Sequence, residues 1–391
     1  MSSRTRLIVM SLSAPIVAFA IVGGFLGKAM AREDTYQHLK IFEDVTSLIT
    51  NNYVEDVDVD KVMHGAMHGL ADALDPDSAY LTPAEVREVE SGAALAPADV
   101  GIELTRQYYL RVISTRENSP AAKAGLRTGD YIRMIDQTPT REMSVWEGVR
   151  ALRGAAGTSV KLTIIRGSAA DPHVVELTRT VASPTEVRGR VEAPGIGYVR
   201  IASFDQRTAD QVKAEVARLE KAGAAKLIVD VRQSSNGSLE SGLAVARLFG
   251  GKGTLAIKET KGADRETIAA GGAGSKDGSV ALPATLLIDT GTAGAGELFA
   301  AALEGNHRAE LIGERTIGRA AIQRLIKLPD GSGLWLSTSR YLTPAGTPLQ
   351  DKGLEPGVAV DEPEVDFGQP APATDPILDR ARQELGVKKA A

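Results

Sequence analysis

Apolar and polar positions change rhythm three times along this chain of 391 residues. Between about 35 and 90 the apolar residues recur three or four apart. "YQHLKIFEDVTSLITNNYV" and "DVDKVMHGAMHGLADALD" therefore each read as a helix with one apolar stripe. "DPDSAYLTPAEVREVESG" reads as a turn and then a short helix, with Thr82 before Pro83 at its start. From about 97 to 185 the runs shorten. "VGIEL", "LRVIST", "DYIRMID" and "SVKLTIIRG" predict strands, "SPAAKAG" a short helix and "VWEGVRALRG" a longer one. Such a set builds a small, partly open β-barrel with two helices. From about 186 to 365 strands and helices alternate. "GIGYVRIASF", "AKLIVDVR" and "ATLLIDT" are strands, and "TADQVKAEVARLEKAG", "LESGLAVARLFGG" and "GELFAAALEG" are helices. This alternation predicts parallel βαβ units, with "AKLIVDVR" buried on both faces. Thr208 is expected to cap the first of these helices and Gly223 to end it. "AIQRLIKLPDGSGLWLSTSRYL" predicts a hairpin turning at Asp330–Gly331, "GQPAPATDP" a linker, and "PILDRARQEL" a terminal helix.

The first residues do not belong to this pattern. Arg4 and Arg6 precede an almost uncharged apolar stretch over 7–27, followed by Lys28 and "AMA" at 29–31. These are the parts of an export signal. The stretch is also long enough to span a bilayer as a helix, although Pro15 interrupts it. Three readings stay open: a cleaved signal over 1–31 with Arg32 as the mature start, an uncleaved inner-membrane anchor over 7–27, or a buried core helix. Either export reading places the bulk of the chain outside the cytoplasmic membrane, in the periplasm or cell envelope.

Composition narrows the function. Apolar content of 43% with 24% charged residues marks a folded globular chain. A net charge of −5 without a Lys/Arg-rich run excludes a nucleic-acid partner, and 4% aromatics leave few stacking platforms. The absence of cysteine excludes disulfides, a thiol nucleophile and Cys-ligated zinc. His64 and His68 lie four apart on one helix face, but Gly65 stands where a zinc-protease Glu would be, and no third ligand is apparent. Surface or interface histidines are the plainer reading, and no metal or other cofactor is expected.

The chemistry concentrates at "DTGTAGAGELFAAAL", residues 289–303, a strand end, glycine-rich turn and helix start. Gly291, Gly294 and Gly296 are spaced as the reverse of a dinucleotide fingerprint, and no Gly-Lys-Ser/Thr follows, so this is no phosphate cradle. With this turn, "SPAAKAGLRTGDYIRMID", "LIVDVRQSSNGSL", "RAELIGERTIGRAAIQ" and "LPDGSGLWLSTSRYLTPAGTPLQDKGLEP" complete a pattern that resembles the C-terminal (tail-specific) processing peptidases, PDZ-bearing serine peptidases of the bacterial envelope. The resemblance runs from about 36 to 386. It implies an α/β and β protein: a helical N-terminal region over 32–96, a PDZ-like β-barrel domain over 97–185, a ClpP/crotonase-like α/β core over 186–365, and a linker with a C-terminal helix over 366–391.

That family carries Ser-Ala-Ser-Ala-Ser-Glu before the helix, with a serine nucleophile, a lysine base twenty-five residues on and a supporting glutamine four further. Carried onto this chain, the nucleophile position is Gly294, the base position Arg319 and the supporting position Gln323, with Glu297 retained and Gly296 replacing a second serine. Glycine has nothing to attack with. Arginine stays protonated at neutral pH and cannot serve as base. Losing both members of such a unit, each worth orders of magnitude in rate, removes the usual hydrolytic route. The family's Asp-Leu-Arg-Gly-Asn-Pro-Gly-Gly loop reads "DVRQSSNG" here, keeping Asp230, Arg232 and Gly237. Gly237 and Ala295 are the positions implied for the oxyanion loops. Thr292, Ser234, Ser235 and Ser238 are the hydroxyls within reach of the turn, none with an evident base, and His307 reads as a solvated loop residue. Arg319 pairs with a carboxylate at the old catalytic position, makes an internal salt bridge, or is a solvated side chain.

Peptide binding needs no nucleophile. A PDZ-like domain adds an extended chain to a sheet edge and holds its terminal carboxylate with backbone N–H groups. The implied residues are Asp99, Val100, Gly101, Ile102, Glu103 and Leu104, with Ala98 to Gly101 where relatives carry Gly-Gly-hydrophobic-Gly. Asp99 is expected to repel a free carboxylate, which favours an internal segment or a partner loop. The expected function is that of a non-catalytic homologue that binds a peptide or protein partner or regulates an active relative, as a homo- or hetero-oligomer joined through its helical ends. The alternatives are an active endopeptidase with an unrecognised nucleophile and a structural envelope protein.

Overall fold

The computed structural model describes residues 36–167, 171–250, 252–271, 278–370 and 372–386. The apolar stretch over 7–27, read above as signal, anchor or core helix, lies outside the described residues. Among those residues, no helix is long and apolar enough to cross a membrane. The chain forms two compact units, one ending at Gly69 and one beginning at Leu70.

The first unit is helical. A helix over 36–52 leaves Tyr36, Leu39, Ile41, Val45 and Leu48 exposed. A second helix, Val59–Asp72, begins in it and carries His64 and His68, whose rings lie 4.6 Å apart.

The second unit is built around a six-stranded sheet in the order Arg188–Ala193, Ile196–Arg200, Lys226–Asp230, Ala284–Ile288, Ala309–Gly313 and Val358–Ala359. All neighbours pair in parallel except the first two. The period of two in a strand gives this sheet its two apolar faces. Val199, Leu227, Val229, Leu286, Ile288 and Leu311 face the helices Thr208–Lys221, Leu239–Phe249 and Ala295–Gly305. Tyr198, Ile228, Leu287 and Ile312 face Ile377, Leu378 and Ala381 of the terminal helix Pro376–Glu384. Burial on both sides explains the continuous apolar runs in these strands. One cap differs from expectation. Thr208 is the first helical residue and Arg207 holds the cap position, because the Thr208 hydroxyl turns back to accept the Asp205 N–H at 2.8 Å. Gly223 ends the helix with φ +95°, as expected.

A second sheet pairs Ala79–Leu81, Gly333–Leu342, Thr254–Thr260 and Glu266–Ala269 in that order, with Ala321–Lys327 alongside Gly333–Leu342 as the expected hairpin. The strand Ala79–Leu81 was read from sequence as a turn. It pairs with Gly333–Trp335, two hundred and more residues away, and local pattern carries no trace of that. The helix Pro83–Glu90 after it carries a full capping box between Thr82 and Glu85.

The β-barrel region has the sheet order Ile102–Gln107, Tyr109–Thr115, Tyr131–Ile135, Ser159–Ile165 and His173–Thr178. Its core holds Val100, Leu104, Leu110, Ile132, Leu162 and Ile164, and the helix Val145–Ala151 packs beside the edge strand Ile102–Gln107. That edge strand is paired on one side only. An open edge beside a helix is the place where an added peptide strand fits.

Candidate functional site

The turn that opens the Ala295–Gly305 helix is rigidly made. The Thr292 hydroxyl lies 3.0 Å from both the Val231 carbonyl and the Asp289 carboxylate, and accepts the Asp289 N–H at 3.1 Å. Thr292 is fully buried. Its hydroxyl is therefore spent on holding the turn.

Gly294 sits at φ +56°, ψ −117°, a region that side-chain-bearing residues rarely adopt. Glu297, three residues on, is fully buried. Its carboxylate accepts the Gly294 N–H, the Gly318 N–H at 2.9 Å, the Arg319 N–H at 2.8 Å and the Thr316 hydroxyl. One carboxylate thus joins the start of the helix to the segment carrying Arg319. Burial raises its pKa to about 7, against the lowering effect of those donors.

The two family positions lie together. A Cβ built on Gly294 would stand 3.8 Å from the Arg319 carbonyl oxygen and 3.6 Å from that of Ser235. At Gly296 the space is taken: a Cβ there would meet the Ser234 carbonyl oxygen at 2.5 Å. The Ser234 hydroxyl is buried and has no hydrogen-bond partner among the described residues. Ser238 caps the next helix by accepting the Ser241 N–H. Gly237 lies against the Phe204 backbone at φ +121°, where a Cβ would stand 2.0 Å from the Phe204 carbonyl oxygen. Its glycine is thus required by packing. His307 has φ +55° in the loop after the helix.

The Arg319 guanidinium turns away from Gly294. Nε and Nη2 lie 3.1 and 3.0 Å from Asp77 Oδ1, and Nη1 lies 3.7 Å from Glu103 Oε2. Of the three expectations for this arginine, the internal salt bridge is the one found. Burial works against its charge, but Asp77 and Glu103 prevail and raise its pKa above the usual arginine value. Gln323 donates to the Ser337 hydroxyl at 3.1 Å, and Ser337 in turn donates to Asp75 at 3.2 Å. Asp75 and Asp77, in the turn "DPDS", were not singled out from sequence. Only the nearness in space of residues some 240 apart reveals them.

The β-barrel region reaches the same site. Glu103 meets Arg319, the Ser114 and Ser235 hydroxyls share a short hydrogen bond, and the Thr128 hydroxyl lies 2.8 Å from Gln233 Oε1. Gln233 also donates its backbone N–H to Asp289 at 2.9 Å. Gln233, Ser235 and Arg319 are all places where this chain departs from the family pattern.

The implied peptide-binding residues divide into two groups. Val100 and Leu104 have fully buried core side chains and can offer only backbone. Asp99 does not stand as an unpaired charge awaiting a ligand, which corrects the expected repulsion. It accepts the Gly101 N–H at 2.9 Å, is gripped by both terminal nitrogens of Arg116, and lies 3.6 Å from Arg153 Nη2.

An α/β core with a buried turn at a helix start, an open-edged β-barrel docked beside it and a paired arginine define a PDZ-bearing protein on a serine-peptidase scaffold. Sequence profiles agree: peptidase family S41 matches 195–360, a PDZ domain 111–166 and the N-terminal domain of activating protease CtpB 24–84. A carboxy-terminal-processing protease of Bartonella bacilliformis is 30% identical over 362 residues, 89% of this chain and 83% of that one. A carboxyl-terminal-processing protease of Synechocystis is 30% identical over 307 residues, covering 77% and 71%. A probable CtpA-like serine protease of Staphylococcus aureus is 28% identical over 328 residues, and the chain spans 65% of its length. Among solved structures, the photosystem II D1 C-terminal processing protease superposes with a TM-score of 0.67 at 28% identity, over 82% of this chain and 92% of that one. The chain belongs to the C-terminal processing proteases of peptidase family S41.

Proposed function

We propose that this chain is a non-catalytic member of its family, which holds a peptide or protein partner, or regulates an active relative, in the cell envelope. The observation that carries the reading is the pair of adjoining positions: Gly294 has no side chain, and Arg319 is a permanent cation already committed to Asp77 and Glu103. A serine–lysine unit needs an oxygen nucleophile and a neutral amine within hydrogen-bond reach. Neither stands at those two positions; Thr292, Ser235 and Ser238 are each tied into structural hydrogen bonds, and the Ser234 hydroxyl is buried with no hydrogen-bonded base beside it among the described residues. The open edge Ile102–Gln107 beside the helix Val145–Ala151 supports a peptide-holding role. The basic-flanked apolar stretch at the N-terminus supports the envelope location.

The test is direct. The full-length chain, incubated with unfolded casein and with a fluorophosphonate probe, is expected to neither cleave nor label, beside an active family member that does both. Cleavage that disappears in the Thr292→Ala variant would overturn the proposal in favour of an unrecognised nucleophile.

A further inference from the structure

The loop before the edge strand is built like an anion site that the chain has filled itself. Gly101 has φ +77°, and its N–H points to the Asp99 carboxylate at 2.9 Å. Arg116 grips both oxygens of that carboxylate, with Nη1 3.3 Å from Oδ2, and Arg153 closes the far side at 3.6 Å. One backbone amide and two guanidinium groups around one carboxylate form the set that would recognise a peptide C-terminus at this place. The surroundings fix the arrangement. A Cβ on Gly101 would lie 2.2 Å from Ser119 Cβ, the Gly101 carbonyl accepts the Arg116 N–H, and the Val100 carbonyl accepts the Ala121 N–H. The Asp99 side chain is only 14% exposed, so its charge is held inside rather than displayed.

We infer that Asp99 is a built-in stand-in for a ligand carboxylate, and that the groove consequently takes an internal extended segment of a partner rather than a free C-terminus. This rests on the peptide-holding reading above. An entering terminal carboxylate finds the Gly101 amide and the Arg116 fork already taken by Asp99, with the Asp99 charge itself beside Arg153, so its desolvation is poorly compensated. A mid-chain segment brings no such charge and needs only the open backbone edge of Ile102–Gln107.

The experiment uses fluorescein-labelled decapeptides with apolar last residues, each made as the free acid and as the C-terminal amide, titrated onto the full-length chain by anisotropy. Wild type is expected to treat acid and amide alike, within about twofold. Asp99→Ala, checked for wild-type thermal unfolding, is expected to gain at least about tenfold for the acid over the amide, because the amide and two arginines are freed. Acetate titrated onto the same variant, followed by the Gly101 amide NMR signal, reads the cradle independently of peptide sequence and is expected to bind there and not in wild type. If Asp99→Ala loses stability, Asp99→Asn, which keeps an acceptor for Gly101 but frees the arginines, is expected to gain a smaller preference for the acid. A wild type that prefers the acid by tenfold overturns the inference. So does a folded Asp99 variant that binds neither acid peptide nor acetate. Hydrolysis of the peptides, by contrast, would overturn the non-catalytic reading and leave this one standing.

Discussion

Single residues decide the chemistry here, and two of them can be tested in isolation. Gly294→Ser supplies a hydroxyl but leaves Arg319 at the base position, and a guanidinium cannot accept its proton. The variant is expected to stay inactive and unlabelled by fluorophosphonate. It should also lose about 1 to 2 kcal/mol in chemical denaturation, since a side chain is strained at φ +56°. Glu297 gives a pH signature. Its pKa is raised from 4.5 to about 7, so the folded chain holds the proton more tightly than the unfolded one. Its contribution to stability is full below about pH 4.5 and is lost as pH rises through about 7. Relative to Glu297→Gln, wild type is expected to lose roughly 3 kcal/mol between pH 4.5 and 8, measured by urea unfolding across that range. A flat difference would show that the donors around Glu297 fully offset its burial.

Elements set which contacts matter, and they rank the partners of Arg319. Asp77 is buried at 8% exposure, while Glu103 is a third exposed and farther from the guanidinium. Asp77→Asn is expected to cost about 2 kcal/mol and Glu103→Gln less than about 1, read from urea midpoints; the reverse order would contradict the geometry. The same contrast shows what sequence could reveal. Strands such as Lys226–Asp230, the Asp330–Gly331 hairpin and the Thr82 cap were legible because local periodicity and turn chemistry determine them. That positions 294 and 319 adjoin was legible because the motif of the resembled family implies both spacings. The partner of Arg319 was not, nor were the contacts of Ser114 with Ser235 and Thr128 with Gln233, since pairing across more than 100 residues leaves no local mark. Strand Ala79–Leu81 was misread for the same reason: three residues alone carry no period.

At the scale of the whole molecule, two sets of contacts hold parts together. Arg232 reaches Asp230 and Asp375 at once, at 2.7 and 2.8 Å, and Asp375 caps the terminal helix. Burial alone would raise the Asp230 carboxyl, but Arg200 and Arg232 bring it down to about 2. Arg232→Ala is expected to cost about 3 kcal/mol and to speed hydrogen exchange of the amides from Ile377 to Ala381 before the central strands respond. The second set fixes the β-barrel region on the core through Gln233 and Ser235. The chain lacks cysteine, so spin labels at Val174→Cys and Lys221→Cys report on this pairing alone. A single narrow distance distribution is expected, broadened when Gln233→Gly and Ser235→Pro remove the links. The crowding at Gly296 couples two loops. Because the Ser234 carbonyl occupies the room a side chain would need, any residue larger than glycine at 296 forces the loop carrying Ser234 to move with it.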